Sequence, residues 1–283
     1  MVTNLLTFAT WRYERSRQRL LSSARRFGDF RFWSYSGRDF RLTGVYARHP
    51  EVARNPRGAG LWLWKPYYLK QVLNEMRSGE RVLYLDAGME ITAPLDPLFE
   101  LSEKGPGICL FTVHDRLNRH WTKRDCFVLM GCDEPDYLNT EQSMSGVIVI
   151  RKNPFVVDLV SQWLEYTADE RIVSDLPNTC GLPNYPGFVE HRHDQSILNN
   201  LRIRHGIPSY TDPTQFGGPH RSKARSGMDD YPALLNLHRE RLPSLRTALK
   251  LLASDRARFA QGARGHAGRM IRSFFRGGPI SRG

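Results

Sequence analysis

Residues 81–88 read Arg-Val-Leu-Tyr-Leu-Asp-Ala-Gly. The apolar run Val82 to Leu85 is too short for a helix and is bounded by charge, which predicts a buried strand. Ala87-Gly88 then predicts a tight turn. A single carboxylate, Asp86, is thereby delivered at the carboxyl end of the strand.

Working outward, the same pattern recurs. Asn4 to Ala9 and Phe30 to Tyr35 read as strands, with an Arg-rich helical segment from Trp11 to Phe27 between them. Ser36 to Gly60 carries Gly37, Gly44, Pro50, Pro56 and Gly58 and reads as loop with short helical pieces. Leu61 to Arg77 reads as a helix. Pro66 sits near its start, Leu69, Val72, Leu73 and Met76 form its apolar stripe, and Gly79 stops it. Gly107 to Val113 and Ser145 to Ile150 read as further strands, followed by helices over 155–168 and 194–202. Strands alternating with helices predict an α/β fold, with a mostly parallel sheet covered by helices on both faces. In such sheets ligands bind beyond the carboxyl ends of the strands.

The chain has 283 residues, 40% hydrophobic and 25% charged. That is the composition of a globular protein, not of a collagen or a disulfide scaffold. No window reaches the roughly 18 apolar residues of a spanning helix, and no secretory signal is visible at Met1 to Trp11. Cys109, Cys126, Cys132 and Cys180 form no C-x-x-C pair and read as reduced, mostly buried thiols. The net charge is +12, of which Arg241 to Gly283 carries +9 (ten basic residues and one acid, Asp255), leaving +3 for residues 1–240. The reading is therefore a nearly balanced domain over 1–240 and a basic tail over 241–283.

Three places could carry chemistry. Asp86 is placed to hold a divalent cation that bridges phosphates, or else to cap the following turn. Lys65, in Trp62-Leu63-Trp64-Lys65-Pro66-Tyr67, stands at a helix start, where an added positive charge suits phosphate. The alternative is a staple of packing aromatics with a surface lysine. In His191-Arg192-His193-Asp194-Gln195, Asp194 is a catalytic candidate or simply a helix N-cap. His191 and His193 are weak metal ligands, because alternate residues do not share a helix face.

In order, the strand with Thr7-Phe8-Ala9-Thr10, the W-x-W-K-P helix, the Y-L-D-A-G strand end, the S-G-V-I-V-I strand and H-D-Q-S-I-L resemble nucleotide-sugar-dependent glycosyltransferases of the GT-A fold. The resemblance is to bacterial enzymes of polysaccharide and lipopolysaccharide synthesis, and it spans residue 3 to about 240. It implies hexosyl transfer from a nucleoside-diphosphate sugar, a UDP-sugar foremost, to a saccharide or lipid-linked acceptor. Thr7, Ala9 and Thr10 would lie near the base, and Lys65 near the ribose or diphosphate. Asp86 matches the first acid of the D-x-D motif and Gly88 replaces the second. A divalent cation, Mn²⁺ or Mg²⁺, would be held by Asp86 and a late histidine, His238. Ser145 and Gly146 would flank the donor sugar, with Lys123 and Asp125 at its rim. Asp194 and Gln195 would face the sugar and the acceptor. The loops 36–60, 116–142 and 172–190 would set specificity.

From residue 243 to 276, Leu, Met, Ile and Phe alternate with Arg at helical spacing. That pattern suits an anionic membrane surface, and equally a packed or disordered end. It makes the expected location cytoplasmic, peripheral at the inner face of the plasma membrane. Two other readings stand beside the transferase. Gly88 admits a catalytically inactive sugar-nucleotide-binding scaffold, and the basic charge admits a nucleic-acid binder. The charge is confined to the tail and no nucleic-acid motif occurs in the body, so no nucleic-acid partner is expected.

Overall fold

A computed structural model describes residues 3–217 and 231–238. The basic tail, 241–283, lies outside the described residues. Six strands form one sheet in the order β2-β1-β3-β6-β5-β7. They are β1 (Thr3–Ala9), β2 (Phe30–Ser36), β3 (Arg81–Leu85), β5 (Ile108–Leu117), β6 (Glu141–Arg151) and β7 (Ser209–Tyr210). A two-stranded ribbon pairs β4 (Met89–Ile91) with β8 (Leu235–Leu237). Every strand of the large sheet runs the same way except β6, which is antiparallel to both β3 and β5.

Period-two alternation sorts the side chains onto the two faces of the sheet. Leu6, Phe8, Val82, Tyr84, Leu110, Ile148 and Ile150 fall on one face. They pack with helices α2 (Trp64–Glu75), α4 (Pro154–Ala168) and α5 (Asp194–Arg204). Leu5, Leu83, Leu85, Cys109, Val147 and Val149 fall on the other, with α1 (Glu14–Phe27) and α3 (Asp96–Lys104). Both faces are thus covered, as the alternation of elements predicts. Cys109, Cys126 and Cys132 are buried free thiols, and Cys180 is a partly exposed one. No helix among the described residues is long and apolar enough to cross a membrane.

The expected helix start at Leu61 is corrected. Gly58, Ala59, Gly60, Leu61 and Trp62 all have positive φ, from 47° to 100°. Left-handed backbone costs an L-residue roughly 1–2 kcal/mol, so packing must hold this segment in place. It does so tightly: a Cβ on Gly60 would meet the Ala53 carbonyl oxygen at 2.8 Å. The Trp64 indole N–H donates to the Gly58 carbonyl at 2.8 Å, and the right-handed helix starts only at Trp64. This reversal fixes where Lys65 enters the sheet end. The Arg-rich segment likewise begins with a short 3-10 turn at Trp11–Tyr13 before α1.

Candidate active site at the carboxyl edge of the sheet

Asp86 follows β3 and keeps the parity of Tyr84, so both side chains face α2. The Tyr84 hydroxyl donates to Asp86 Oδ1 at 2.5 Å. Burial, then the Asp86 charge, pushes the Tyr84 phenol well above its ordinary range, so it is a fixed donor. The Asp86 N–H donates to the Gly146 carbonyl at 2.9 Å, which locks the turn onto β6.

Lys65, second residue of α2, is 1% exposed. Its ammonium lies 3.0 Å from Asp194 Oδ2 and 3.6 Å from Asp86 Oδ1, and it donates to the Ser145 carbonyl (3.1 Å) and hydroxyl (3.0 Å). The Tyr84 ring lies 5.1 Å from the ammonium. Lys65 is therefore no surface lysine. It is a buried cation bracketed by two carboxylates.

Ser145 reaches Lys65 because the β5–β6 ladder slips between Cys109 and Phe111. Across the slip Met144 and Val147 pack on the same face, which turns Ser145 to the other. A bulge used to re-aim a side chain in this way is common next to active sites. Because β6 is antiparallel, its early residues, not its end, reach the crevice.

Asp194 opens α5 and is buried. Burial raises its carboxyl above the usual range, while Lys65 and the Ser145 hydroxyl pull it back down. The contact with Lys65 is short but poorly aligned for a hydrogen bond, and its strength is Coulombic. The side chain of Gln195 points into a different network, donating to Gln142 Oε1 at 2.7 Å. His193, before Asp194, has φ 51° and stacks on Trp62 at 5.1 Å. Its Nδ1 lies 2.7 Å from the Val173 carbonyl, and His191 Nε2 lies 3.0 Å from the Ile172 carbonyl. Burial, then neighbouring His193 and Lys123, depresses the His191 pKa well below its ordinary value, so it stays neutral and structural.

The other sequence candidates are distributed as follows. Thr7 is fully buried, and its hydroxyl has no hydrogen-bond partner among the described residues. Ala9 is buried and Thr10 partly exposed at the end of β1. Lys123 donates to the Leu176 carbonyl at 2.9 Å and lies 3.6 Å from Asp125 Oδ2. Asp125 accepts the N–H groups of Thr179 and Cys180, which outweigh its burial and lower its pKa. The pair pins the 176–180 loop. The His238 N–H donates to the Gly88 carbonyl at 2.9 Å, which brings β8 to the turn after Asp86.

Sequence reading did not assign a role to Tyr84. A polar aromatic two residues before a strand-end acid, on the same face, was the available signal.

No family model matches this chain, and no curated protein matches it. Similar folds occur among solved structures. Mouse xyloside xylosyltransferase 1 in its apo form is 12% identical, covering 86% of this chain and 100% of its own, with a TM-score of 0.45. The galactosyltransferase LgtC, in complex with donor and acceptor sugar analogs, is 14% identical over 83% of this chain and 86% of its own, at 0.43. The glycosyltransferase GlyE of Streptococcus pneumoniae TIGR4 is 16% identical over 83% of this chain and 54% of its own, at 0.41.

Among the described residues no group of three His, Cys, Asp or Glu surrounds a common point. What the turn offers a cation is the Asp86 carboxylate, 33% exposed, and His238, carried beside Gly88. A carboxylate oxygen is a donor that both Mn²⁺ and Mg²⁺ accept, and an imidazole beside it would suit Mn²⁺ better than Mg²⁺.

Proposed function

We propose that this chain transfers a sugar from a nucleoside-diphosphate sugar, a UDP-sugar foremost, to a saccharide or lipid-linked acceptor in cell-surface polysaccharide synthesis. The observation that carries this reading is the buried Lys65 ammonium held between Asp86 and Asp194 at the carboxyl edge of the sheet. The ordered motifs over residues 3–240 support it.

As the bond from sugar to phosphate breaks, negative charge grows on the leaving diphosphate. A pre-oriented ammonium in a water-poor site stabilises that charge without reorganising. Lys65 supplies it, and Tyr84 holds Asp86 in place. A divalent cation, Mn²⁺ or Mg²⁺, held by Asp86 and His238 would neutralise the diphosphate further. Asp194 faces the developing positive charge at the anomeric carbon or takes the acceptor proton. Thr7, Ala9 and Thr10 at the end of β1 would receive the base, and Ser145 and Gly146 would flank the sugar, with Lys123, Asp125 and Gln195 outside the first contacts. The basic segment 241–283 would place the protein at the inner face of a cytoplasmic membrane.

The test is thermal unfolding with UDP, GDP and CDP and their sugars, with and without Mn²⁺, on wild type and Asp86→Asn. A cation-dependent rise for one nucleotide, lost in Asp86→Asn, together with release of that nucleotide from its sugar, is the expected result. Binding without release would favour an inactive sugar-nucleotide binder, to which Gly88 in place of the second acid also points. No response to any nucleotide would overturn both readings. Co-sedimentation of the full chain and of residues 1–240 with anionic liposomes tests the tail.

A further inference from the structure

A cavity of about 520 Å³ opens where the C-terminal end of α5 meets the hairpin of β5 and β6. Its walls include Arg202, Glu141, Thr112, Ser209, Ile203 and Pro208. The volume falls within the roughly 300–1,000 Å³ of small-molecule sites. Two elements connect the cavity to the candidate active site. α5 begins at Asp194 and carries Arg202 eight residues later, about 12 Å along the helix axis. β6 carries Ser145 beside Lys65 and Glu141 four residues earlier, about 13 Å along the strand. The cavity is therefore a separate place reached by the same helix and the same strand.

Its polar groups are held in fixed orientations. Arg202 is 8% exposed. Its Nε donates to Asn199 Oδ1 (3.1 Å), Nη1 to the Ile207 carbonyl (3.4 Å) and Nη2 to the Glu141 carbonyl (3.3 Å), which orients the guanidinium plane. The Glu141 carboxylate accepts the Asp115 N–H at 2.8 Å and lies 3.4 Å from His114 Nδ1. The Ser209 hydroxyl stands 2.8 Å from the hydroxyls of both Thr112 and Ser143. Thr112, Ile203, Pro208 and Ser209 are partly exposed, so a ligand can enter from solvent.

Charge of both signs narrows the chemistry of that ligand. An anionic group meets a like charge at Glu141, and an ammonium meets one at Arg202. A polyol meets neither penalty, because each hydroxyl both donates and accepts. It can accept from the guanidinium and donate to the carboxylate or to a serine or threonine oxygen. The C–H face of a sugar ring can lie on Ile203 and Pro208. A few oriented polar groups beside apolar surface are the general means of holding a small ligand in one orientation.

We propose that this cavity binds a neutral sugar ring of the acceptor, held by α5 about 12 Å from Asp194. That span exceeds one sugar ring, so the ring bound here is not the one that receives the transferred sugar. That the ring belongs to an acceptor rests on the transferase reading; that the cavity binds a saccharide does not.

The experiment titrates methyl glycosides into the full chain by saturation-transfer NMR. The neutral probes are the methyl glycosides of D-glucose, D-galactose, D-mannose and N-acetyl-D-glucosamine. The charged comparators are methyl β-D-glucuronide and methyl β-D-glucosaminide. At least one neutral probe should bind, at least about threefold more tightly than either charged one, and with an affinity that salt leaves unchanged. Arg202→Gln, and Ile203→Trp, which fills the cavity from its partly exposed side, should each weaken that binding by about tenfold. Asp194→Asn should leave it unchanged. Absence of binding by every neutral probe, equal or tighter binding of a charged one, binding that survives Ile203→Trp, or an equal loss in Asp194→Asn would overturn the site. Should Arg202→Gln unfold, Ile203→Trp decides. Nucleotide-induced stabilisation is read on the same samples. Its absence beside intact saccharide binding sinks the transferase reading alone, and its presence without saccharide binding sinks the cavity site alone.

Discussion

The Lys65 ammonium and Asp194 Oδ2 are 3.0 Å apart at 1% and 4% side-chain exposure, joining the start of α2 to the start of α5. Breaking a buried pair from one side leaves an uncompensated charge, at about 3–5 kcal/mol. Lys65→Met should therefore lower the unfolding free energy by about that much and abolish transfer. Lys65→Met with Asp194→Asn should recover a large part of the stability and none of the activity. Chemical denaturation of the four proteins in a cycle checks this. Additive losses would show that the pair is not energetically coupled.

The Tyr84 hydroxyl gives Asp86 a charge-assisted bond of 2.5 Å. Tyr84→Phe removes it with little change of volume. The expected effect is about 1–2 kcal/mol, read mainly as weaker cation or diphosphate binding, because a hydrogen bond to a charged group is worth about 1.5–3 kcal/mol and water replaces part of it. A Mn²⁺ titration in the presence of nucleotide measures the shift. Unchanged affinity would mean that Asp86 is positioned by its backbone alone.

Much of this was legible in the sequence. Continuous apolar runs marked β1, β3 and the core of β6, because a strand buried on both faces leaves a dense apolar signature, and alternation marked β2. Asp86, Lys65 and Asp194 stood out because each sits where a strand ends or a helix starts. The direction of β6 was not legible, since an apolar run carries no polarity, and that direction decides that Ser145 and Gly146 meet Asp86. The left-handed stretch at 58–62 was hidden because only two of its five residues are glycine, and tertiary packing holds the other three. Resemblance alone places Lys123 and Asp125 at the donor rim, and their partners Leu176, Thr179 and Cys180 were not legible because a charge in a loop does not announce what it binds. The short strand β7 was missed because two residues carry no period.

Acid should act on two groups in opposite senses. Burial, then His193 and Lys123, lowers the His191 pKa, so below about pH 6.5 the unfolded chain binds the proton more readily and stability falls with falling pH. Asp194 has a raised pKa, so in the window between the ordinary carboxylate value of about 3.9 and its native value the folded chain binds more protons. There its contribution to stability rises with falling pH. Asp194→Asn should remove the second effect, leaving a monotonic loss of stability on acidification between pH 7 and 4. Transfer activity should rise with pH through the raised Asp194 value. Denaturation midpoints across that range, for both proteins, check the signs. A pH profile of stability identical in the two would show that Asp194 does not titrate in the window.

Gly146 is where a methyl group alone should separate fold from chemistry. Its φ is not positive, so alanine meets no backbone penalty there. A Cβ at this position would stand 3.0 Å from Asp86 Oδ2 and 3.6 Å from the Met89 terminal methyl. The methionine end is flexible and can yield. The carboxylate is held through Oδ1 by Tyr84 and Lys65, so relief requires it to swing against those two contacts. Gly146→Ala should therefore change the unfolding free energy by less than about 1 kcal/mol, the range of a mild packing change. It should lower kcat/KM by at least about tenfold, or about 1.4 kcal/mol of lost transition-state stabilisation. Steady-state kinetics beside denaturation of the same protein gives both numbers. Full activity with unaltered stability would show that Asp86 tolerates the shift and that its exact placement is not what the chemistry uses.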